Sequence, residues 1–452
     1  MTLATVPRYN GDQLPESREK AVVSGASIAG LLAGRILADR FTEVTIIERD
    51  YLPTEPVVRR GVPQGAHPHA LLEAGRATLE DLFPGFGEDL IAAGGVVVDF
   101  ASDVNFYGEG DFLAHGSTPM ETYSATRPLI EQVVREHVSN LDGVHIRSGC
   151  QVTDYLLDDT GTAVEGVVLR EGSEQTEITA DLVVDATGRT SRTPTWLENH
   201  GYTPPEVEEV RIDVAYSTTF IERPADDLRT FLVPPSSPHT RGGMAAPVEG
   251  NRWVVSVHGV HGDHPPTDSE GLVEFAANLL TPEVRHLLDD HRQVSTDIEY
   301  YPFPTNRRYR YGDLDRFPDG LVVIGDAIAS FNPIYGQGMS VAALEALELH
   351  QALARDGLED LPPRFFDRAE EVIDMAWLLA AGSDFAFPQT TGPKPFGTDL
   401  ISWYLTRLIH KAHTDSTLSS AFFRVLTMEQ PPTTLLRPRK MWRVFNPISR
   451  AP

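Results

Sequence analysis

Cysteine is almost absent. Cys150 is the only one in 452 residues, so the chain cannot close a disulfide on itself, and no Cys/His cluster has the spacing of a zinc site. Lysine is scarce too, confined to Lys20, Lys394, Lys411 and Lys440. Acidic residues number 65 against 38 basic ones, a formal charge of −27. So negative a surface repels phosphate, which argues against a nucleic-acid partner. The surplus of acid suggests a halophilic surface; a GC-rich genome would account for arginine in place of lysine but not for the surplus. No apolar run of about twenty residues occurs, so no membrane span is expected. Residues 1–19 are polar, lack the apolar stretch of an export signal and read as a loose arm. These absences predict a soluble, cytoplasmic protein without a metal. What is present is a globular composition, 41% hydrophobic, in a chain long enough for more than one lobe.

Residues 20–49 read as strand, glycine turn, helix and strand: Ala21–Val23, then Gly25 to Gly30, Leu31 to Leu37, and Val44–Ile47. Short strands recur from 139 to 189, and strand patterns continue through Arg211–Phe220, Thr230–Val233 and Arg252–His258. A buried-strand pattern returns at Leu321–Ile324, followed by a long helix from Met339. The expected class is α/β with an α+β insert: an arm over 1–19, a discontinuous Rossmann-type domain over 20–200 and 315–355, an antiparallel-sheet substrate domain over 201–314, and a mainly helical region over 356–452.

The turn Gly25-Ala-Ser27-Ile28-Ala29-Gly30 is a G-x-S-x-x-G variant of the dinucleotide fingerprint. Gly25 permits the tight turn, Gly30 permits close helix–strand packing, and the helix start offers free N–H groups to a diphosphate. Glu48 follows eighteen residues after Gly30, where a carboxylate can accept from ribose hydroxyls and so favours FAD or NAD over NADP. Ser27 in place of the middle glycine reads equally as a helix cap.

Three further segments resemble the flavin monooxygenase superfamily, the relatives of p-hydroxybenzoate hydroxylase. They are Leu321–Ala327 with Asn332-Pro333 and Gly336-Gln337-Gly338-Met339; Asp181–Arg189; and Ser124–Glu131. The resemblance implies a non-covalent FAD. Gly325-Asp326 would meet the ribityl chain, Pro333 and Gly336–Met339 the pyrimidine edge of the ring, and Arg127 the phosphates. In the second segment threonine precedes Gly188 where the family has an acid, leaving Asp185 or Thr187 to do that work. Ile28, Ala29, Arg49 and Val152 are further candidate cofactor contacts.

The segment Arg59 to Leu72, together with Asn332–Ser340, is similar to the epoxidases of polyether-antibiotic pathways, of the lasalocid and monensin type. It makes Pro63, Gln64 and His67 candidate contacts to the flavin. Read for themselves, His67 and His69 lack a third metal ligand and are expected to be hydrogen-bonded structural residues rather than covalent flavin anchors. The resemblance implies NAD(P)H as reductant, O2 adding at the flavin C4a position, and a hydroperoxide passing one oxygen to an apolar small molecule. Tyr216, Phe220, Met244, His258, Tyr301, Phe303 and Phe331 are the candidate substrate wall.

Two alternatives stand beside this reading, an FAD-dependent reductase of isoprenoid double bonds and an FAD-binding protein without turnover. A halogenase is disfavoured because Trp-x-Trp-x-Ile-Pro is missing and no lysine falls in a pocket motif. The basic and aromatic stretch Arg437, Arg439, Lys440, Trp442, Arg443 permits a membrane-surface contact, but a capped core helix is the expected reading.

Overall fold

The computed structural model describes residues 1–14, 17 and 19–446. Five parallel strands form the first sheet in the order Leu321–Val323, Leu182–Asp185, Lys20–Ser24, Glu43–Glu48, Val144–Ser148. Their central residues are apolar on both faces, the pattern of a parallel sheet covered by helices. Helix Ile28–Ala38 packs on one face, with Leu31, Leu32, Ile36 and Leu37 fully buried; each such side chain contributes about 1.5–3 kcal/mol of transfer free energy. Strand order reverses between Lys20–Ser24 and its two neighbours, so the crevice at the strand C-termini opens there, where ligands of this topology bind.

The second large sheet has eight strands and is mostly antiparallel. Its spine is the pairing of Glu206–Glu222 with Glu299–Arg310 on one side and Arg252–Gly259 on the other. It extends beyond the expected 201–314 block, taking in Val104–Gly108, Asp111–Phe112 and Ala329–Ser330. A three-stranded sheet over Cys150–Thr179 and a two-stranded one, Val96–Asp99 with Glu121–Ser124, complete the β structure among the described residues. After the long helix Gly338–Asp356 come helices Leu361–Asp384, Thr398–Ala412, Ser416–Leu426 and Pro438–Phe445.

Two expectations are corrected. The N-terminal arm is not loose: Leu3, Val6 and Leu14 are buried, and the Leu3 N–H donates to the Met428 carbonyl at 3.1 Å. Tyr9 donates to Asp39 at 2.7 Å and packs with its ring tilted 5.1 Å from that of His350, so the arm ties the first Rossmann helix to the long helix. Apolar residues spaced too widely to look like an element are nonetheless enough to anchor it. The second correction is at the other end. Helix Pro438–Phe445 buries only Val444, so it is not a capped core helix.

Candidate functional site

One cleft of about 1570 Å³ begins at the glycine turn, passes between the parallel sheet and the eight-stranded sheet, and ends among the C-terminal helices. It exceeds the ~300–1,000 Å³ of an ordinary ligand site, so it has room for a large cofactor and a second molecule.

At its first end Gly25 has φ +108°, and a Cβ there would lie 2.4 Å from the Ala186 carbonyl oxygen. A Cβ on Gly30 would lie 1.8 Å from the Gly25 carbonyl oxygen, so both glycines are demanded by the turn itself. Ser27 caps nothing with its side chain. Its hydroxyl donates to Glu131 at 3.0 Å and accepts from Arg127 Nη2 at 2.8 Å. Arg59, also buried, spans Glu131 at 2.8 Å and Glu48 at 3.0 Å. Glu48 accepts from the Ala26 and Asp50 N–H groups, each at 3.0 Å, which fixes its carboxylate at the edge of the cleft. Burial opposes ionisation of Glu131, but the guanidinium groups of Arg127 and Arg59 outweigh it and hold its carboxyl below the ordinary value. The helix start therefore carries a pre-ordered rim of N–H and guanidinium donors, with Arg127 Nη1 left unpaired, which suits a diphosphate.

Further along, Gly188 and Asp326 adjoin at the ends of two paired strands and both line the cleft, an added Gly188 Cβ standing 3.9 Å from the Asp326 Cβ. Burial raises the Asp326 pKa. Asp185 is corrected: fully buried, it accepts from Thr187, Ser191 and Thr193 side chains at 2.5–2.6 Å and from the Thr187 N–H at 2.9 Å. It shapes the loop from behind, and Thr187, Gly188 and Arg189 line the cleft instead. Gly30 likewise stands outside the lining.

The loop Asn332–Gln337 leads into helix Gly338–Asp356. Its hold comes from a residue that sequence reasoning missed. Asp384 accepts from Asn332 Nδ2 at 2.9 Å, Tyr335 Oη at 3.0 Å and Asn306 Nδ2 at 2.7 Å. Burial pushes its pKa up to about 6, against the pull of those donors. Asn332 in turn accepts from the Tyr216 hydroxyl at 2.9 Å, coupling the loop to the second sheet.

Of the candidate substrate-wall residues, Tyr216, Met244, His258, Tyr301, Phe303 and Phe331 line the cleft beyond. Phe220 does not. It lies on the same strand but past the end of the cleft, with the Arg252 guanidinium 5.0 Å from its ring centroid. His67 bonds Thr218 Oγ1 through Nδ1 at 2.7 Å, and burial lowers its pKa to about 4; His258, wholly buried, is lowered to about 3. Both are neutral near pH 7. His69 binds the His67 carbonyl at 2.9 Å and is brought down to about 3 by burial first and Arg127 second. Among the described residues no group of three His, Cys, Asp or Glu could hold a metal.

The remaining cofactor candidates, Ile28, Ala29, Arg49, Pro63, Gln64, Val152, Gly325, Pro333, Gly336, Gln337, Gly338 and Met339, all line this cleft. Three details fit a bound flavin dinucleotide. Arg127 Nη1 is buried without a partner beside the helix start. Both amide atoms of Gln337 are also buried and unpaired. A Cβ added at Gly338 would meet no protein atom within 4 Å, so the protein's own packing does not explain that glycine. Unpaired buried polar groups of this kind call for a ligand. Arg59 and Glu131 sat inside motifs already singled out, and Arg59-Arg60 in so acidic a chain was the available signal. Asp384 left none, because only tertiary structure brings it to the loop.

The family model of an FAD binding domain matches residues 18–370. Protein Rv3254 of Mycobacterium tuberculosis is 33% identical over 429 residues, spanning 90% of this chain and 89% of its own. Among solved structures, the flavin-dependent brominase Bmp2 superposes with a TM-score of 0.64 at 18% identity, over 91% of this chain and 93% of that one. The tetrameric form of 2-methyl-3-hydroxypyridine-5-carboxylic acid oxygenase gives 0.59 at 19% identity, over 82% and 91%. At such identities the two structures establish a shared architecture and no more. The chain belongs to the FAD binding domain family, with the architecture it shares with that brominase and that oxygenase.

Proposed function

We propose that the protein is an NAD(P)H-dependent FAD monooxygenase that puts one oxygen atom into an apolar small molecule, by epoxidation or hydroxylation. The observation that carries this is the continuity of the cleft: the dinucleotide end opens directly into an apolar chamber with no intervening wall. Bound FAD, once reduced, supplies the activation of O2, delivering one oxygen atom to substrate and the other to water.

The chain's own residues do the rest. Arg127 and the N–H groups at Ser27–Ala29 would hold the diphosphate, Glu48 the ribose and Asp326 the ribityl chain. The start of helix Gly338–Asp356 would present its positive dipole end to the pyrimidine edge and so favour negative charge there. Tyr216, Met244, Phe303 and Phe331 exclude water and orient an apolar substrate. His67 and His258 stay neutral, so the chamber wall carries no imidazolium at working pH. None of the four lysines lines the cleft among the described residues, which favours oxygenation over halogenation despite the architecture shared with a brominase.

The test is turnover of the FAD-loaded enzyme with NADH or NADPH against polyenes, isoprenoids and phenols under 18O2. Incorporation of one labelled atom is the expected result. A saturated product formed equally well without oxygen would instead establish the isoprenoid reductase, and failure of either nicotinamide to bleach the flavin with any substrate would leave a binding protein.

A further inference from the structure

Among the described residues, half of the large hydrophobic side chains most exposed to solvent lie beyond residue 392: Phe396, Leu400, Trp403, Leu436, Trp442 and Phe445 among them. Phe396 is fully exposed, and Trp442 and Trp403 expose 66% and 56% of their surface. They do not form a core. Phe445 stands 6.0 Å from Trp403 and 5.2 Å from the Arg407 guanidinium, so helices Thr398–Ala412 and Pro438–Phe445 make one continuous face. Leu400, Trp403, Leu436 and Phe445 also line the far end of the cleft, so that face surrounds its mouth. Contiguous exposed apolar surface of this kind marks an interaction site.

The charge along the last helix is of the opposite sign to the rest of the molecule, and the exposed Asp399 beside Leu400 is paired with Lys394. From Pro431 to Asn446 there is no Asp or Glu, while Arg437, Arg439, Lys440 and Arg443 lie within seven positions of a chain whose net charge is −27. Arg443 pairs with Asp415 at 2.7 Å; Arg437, Arg439 and Lys440 have no carboxylate partner among the described residues. Tryptophan and phenylalanine beside unpaired arginine and lysine match the interface of an anionic bilayer, where rings settle at headgroup depth and cations meet lipid phosphate. The overall negative charge does not prevent this. At physiological salt the screening length is about 8 Å, so distant carboxylates act weakly on a surface that the basic residues touch.

We propose that this face docks on an anionic lipid surface, holding the cleft mouth against the bilayer so that a membrane-dissolved, apolar substrate enters directly. The substrate clause rests on the monooxygenase reading; the docking itself does not. No helix among the described residues is long and apolar enough to cross a membrane, so the contact is peripheral.

Co-sedimentation of the FAD-loaded protein with vesicles tests it, at 0.15 M salt, with phosphatidylcholine alone and with phosphatidylcholine containing phosphatidylglycerol. Binding is expected to the anionic vesicles only. Arg439→Glu with Lys440→Glu, and separately Phe396→Ser with Trp442→Ser, should each lower partitioning roughly tenfold or more. Neither pair lines the cleft, so flavin content and thermal stability should match the wild type. Wild-type protein left in the supernatant with anionic vesicles, or variants that bind as well as wild type, would overturn the proposal. So would a dimer that both variants dissociate while vesicles go unbound, which would assign the face to a second copy of the chain. Because sedimentation reads protein and not turnover, loss of the oxygenase reading would leave this result intact.

Discussion

Gly338 offers the sharpest separation of folding from cofactor binding. It is the first residue of helix Gly338–Asp356, it lines the cleft, and a Cβ placed on it would have no protein atom within 4 Å. Its neighbour Gly336 differs, with φ +65° and a Cβ position 3.0 Å from the Ala70 Cβ. Gly338→Ala therefore costs the apoprotein nothing and, by restricting the unfolded chain, should stabilise it by about 0.4–1 kcal/mol. On the proposed placement of FAD, the same methyl would occupy space that the ring edge requires. Overpacking of that kind costs about 1–3 kcal/mol, which is roughly a 5- to 150-fold rise in Kd. Gly336→Ala, forced into the left-handed region, should lose about 1–2 kcal/mol of apoprotein stability. Thermal unfolding of both flavin-free variants, followed by titration with FAD monitored by flavin fluorescence, separates the effects. A Gly338→Ala variant with wild-type Kd would refute the argument that the glycine keeps space for a ligand.

Arg127→Met leaves Glu131 paired to Arg59 at 2.8 Å, so the fold should persist while FAD affinity falls by about 1.5–3 kcal/mol, with partial recovery in Arg127→Lys; FAD titration measures both. Glu345 is fully buried, accepts from the Gly325 N–H at 2.6 Å and has its pKa raised by burial from 4.5 to about 8. The folded state thus binds more protons across that window, so wild-type stability is full below about pH 4.5 and declines as pH rises toward 8. Glu345→Gln should escape that decline, opening a stability difference of up to about 1.4 kcal/mol per pH unit in denaturant titrations, and a constant difference would sink the assignment. Asp384→Asn turns a three-donor acceptor into a group with one oxygen, so about 1–3 kcal/mol of stability should go, with FAD affinity falling alongside as the Asn332 loop slips. Acid precipitation should leave all flavin in the supernatant, and colour retained in the washed pellet would contradict non-covalent binding at His67 or His69.

The Rossmann core was legible because its signals are local. A β-branched run, a glycine turn and an acid at fixed spacing predict Lys20–Ser24, Ile28–Ala38 and Glu43–Glu48 within a few residues. Strands Thr230–Val233 and Arg252–Gly259 also match their predicted spans closely, since alternation survives where one face is buried. Strand Glu299–Arg310 escaped notice. Pro302 and Pro304 break its pattern, and Arg307, Arg308 and Arg310 make it look like a solvated loop. Those arginines are in fact neutralised across the sheet and by the C-terminal helices: Arg307 by Glu209 at 2.7 Å, Arg308 by Glu208 and Asp374, Arg310 by Glu208. Only the register of Glu206–Glu222 against Glu299–Arg310 makes the charges intelligible.

The same division runs through the site. Residues that touch the cofactor's space sit in motifs, because backbone approach and phosphate geometry constrain sequence at short range. What holds those motifs in place is long-range. Asp384 lies 52 positions from Asn332 and 78 from Asn306, yet its carboxylate joins both, and Tyr216 reaches Asn332 from 116 positions away. The C-terminal helical region is therefore part of the site: it anchors the Asn332–Gln337 loop and, through Trp403 and Phe445, lines the far end of the cleft, the mouth by which substrate enters in the proposed function. A truncation before Leu361 would keep every residue of the glycine fingerprint and the Gly-Asp motif. It would also remove the acceptor that fixes the Asn332–Gln337 loop, which is why fingerprint residues alone identify a flavin fold without specifying a working cleft.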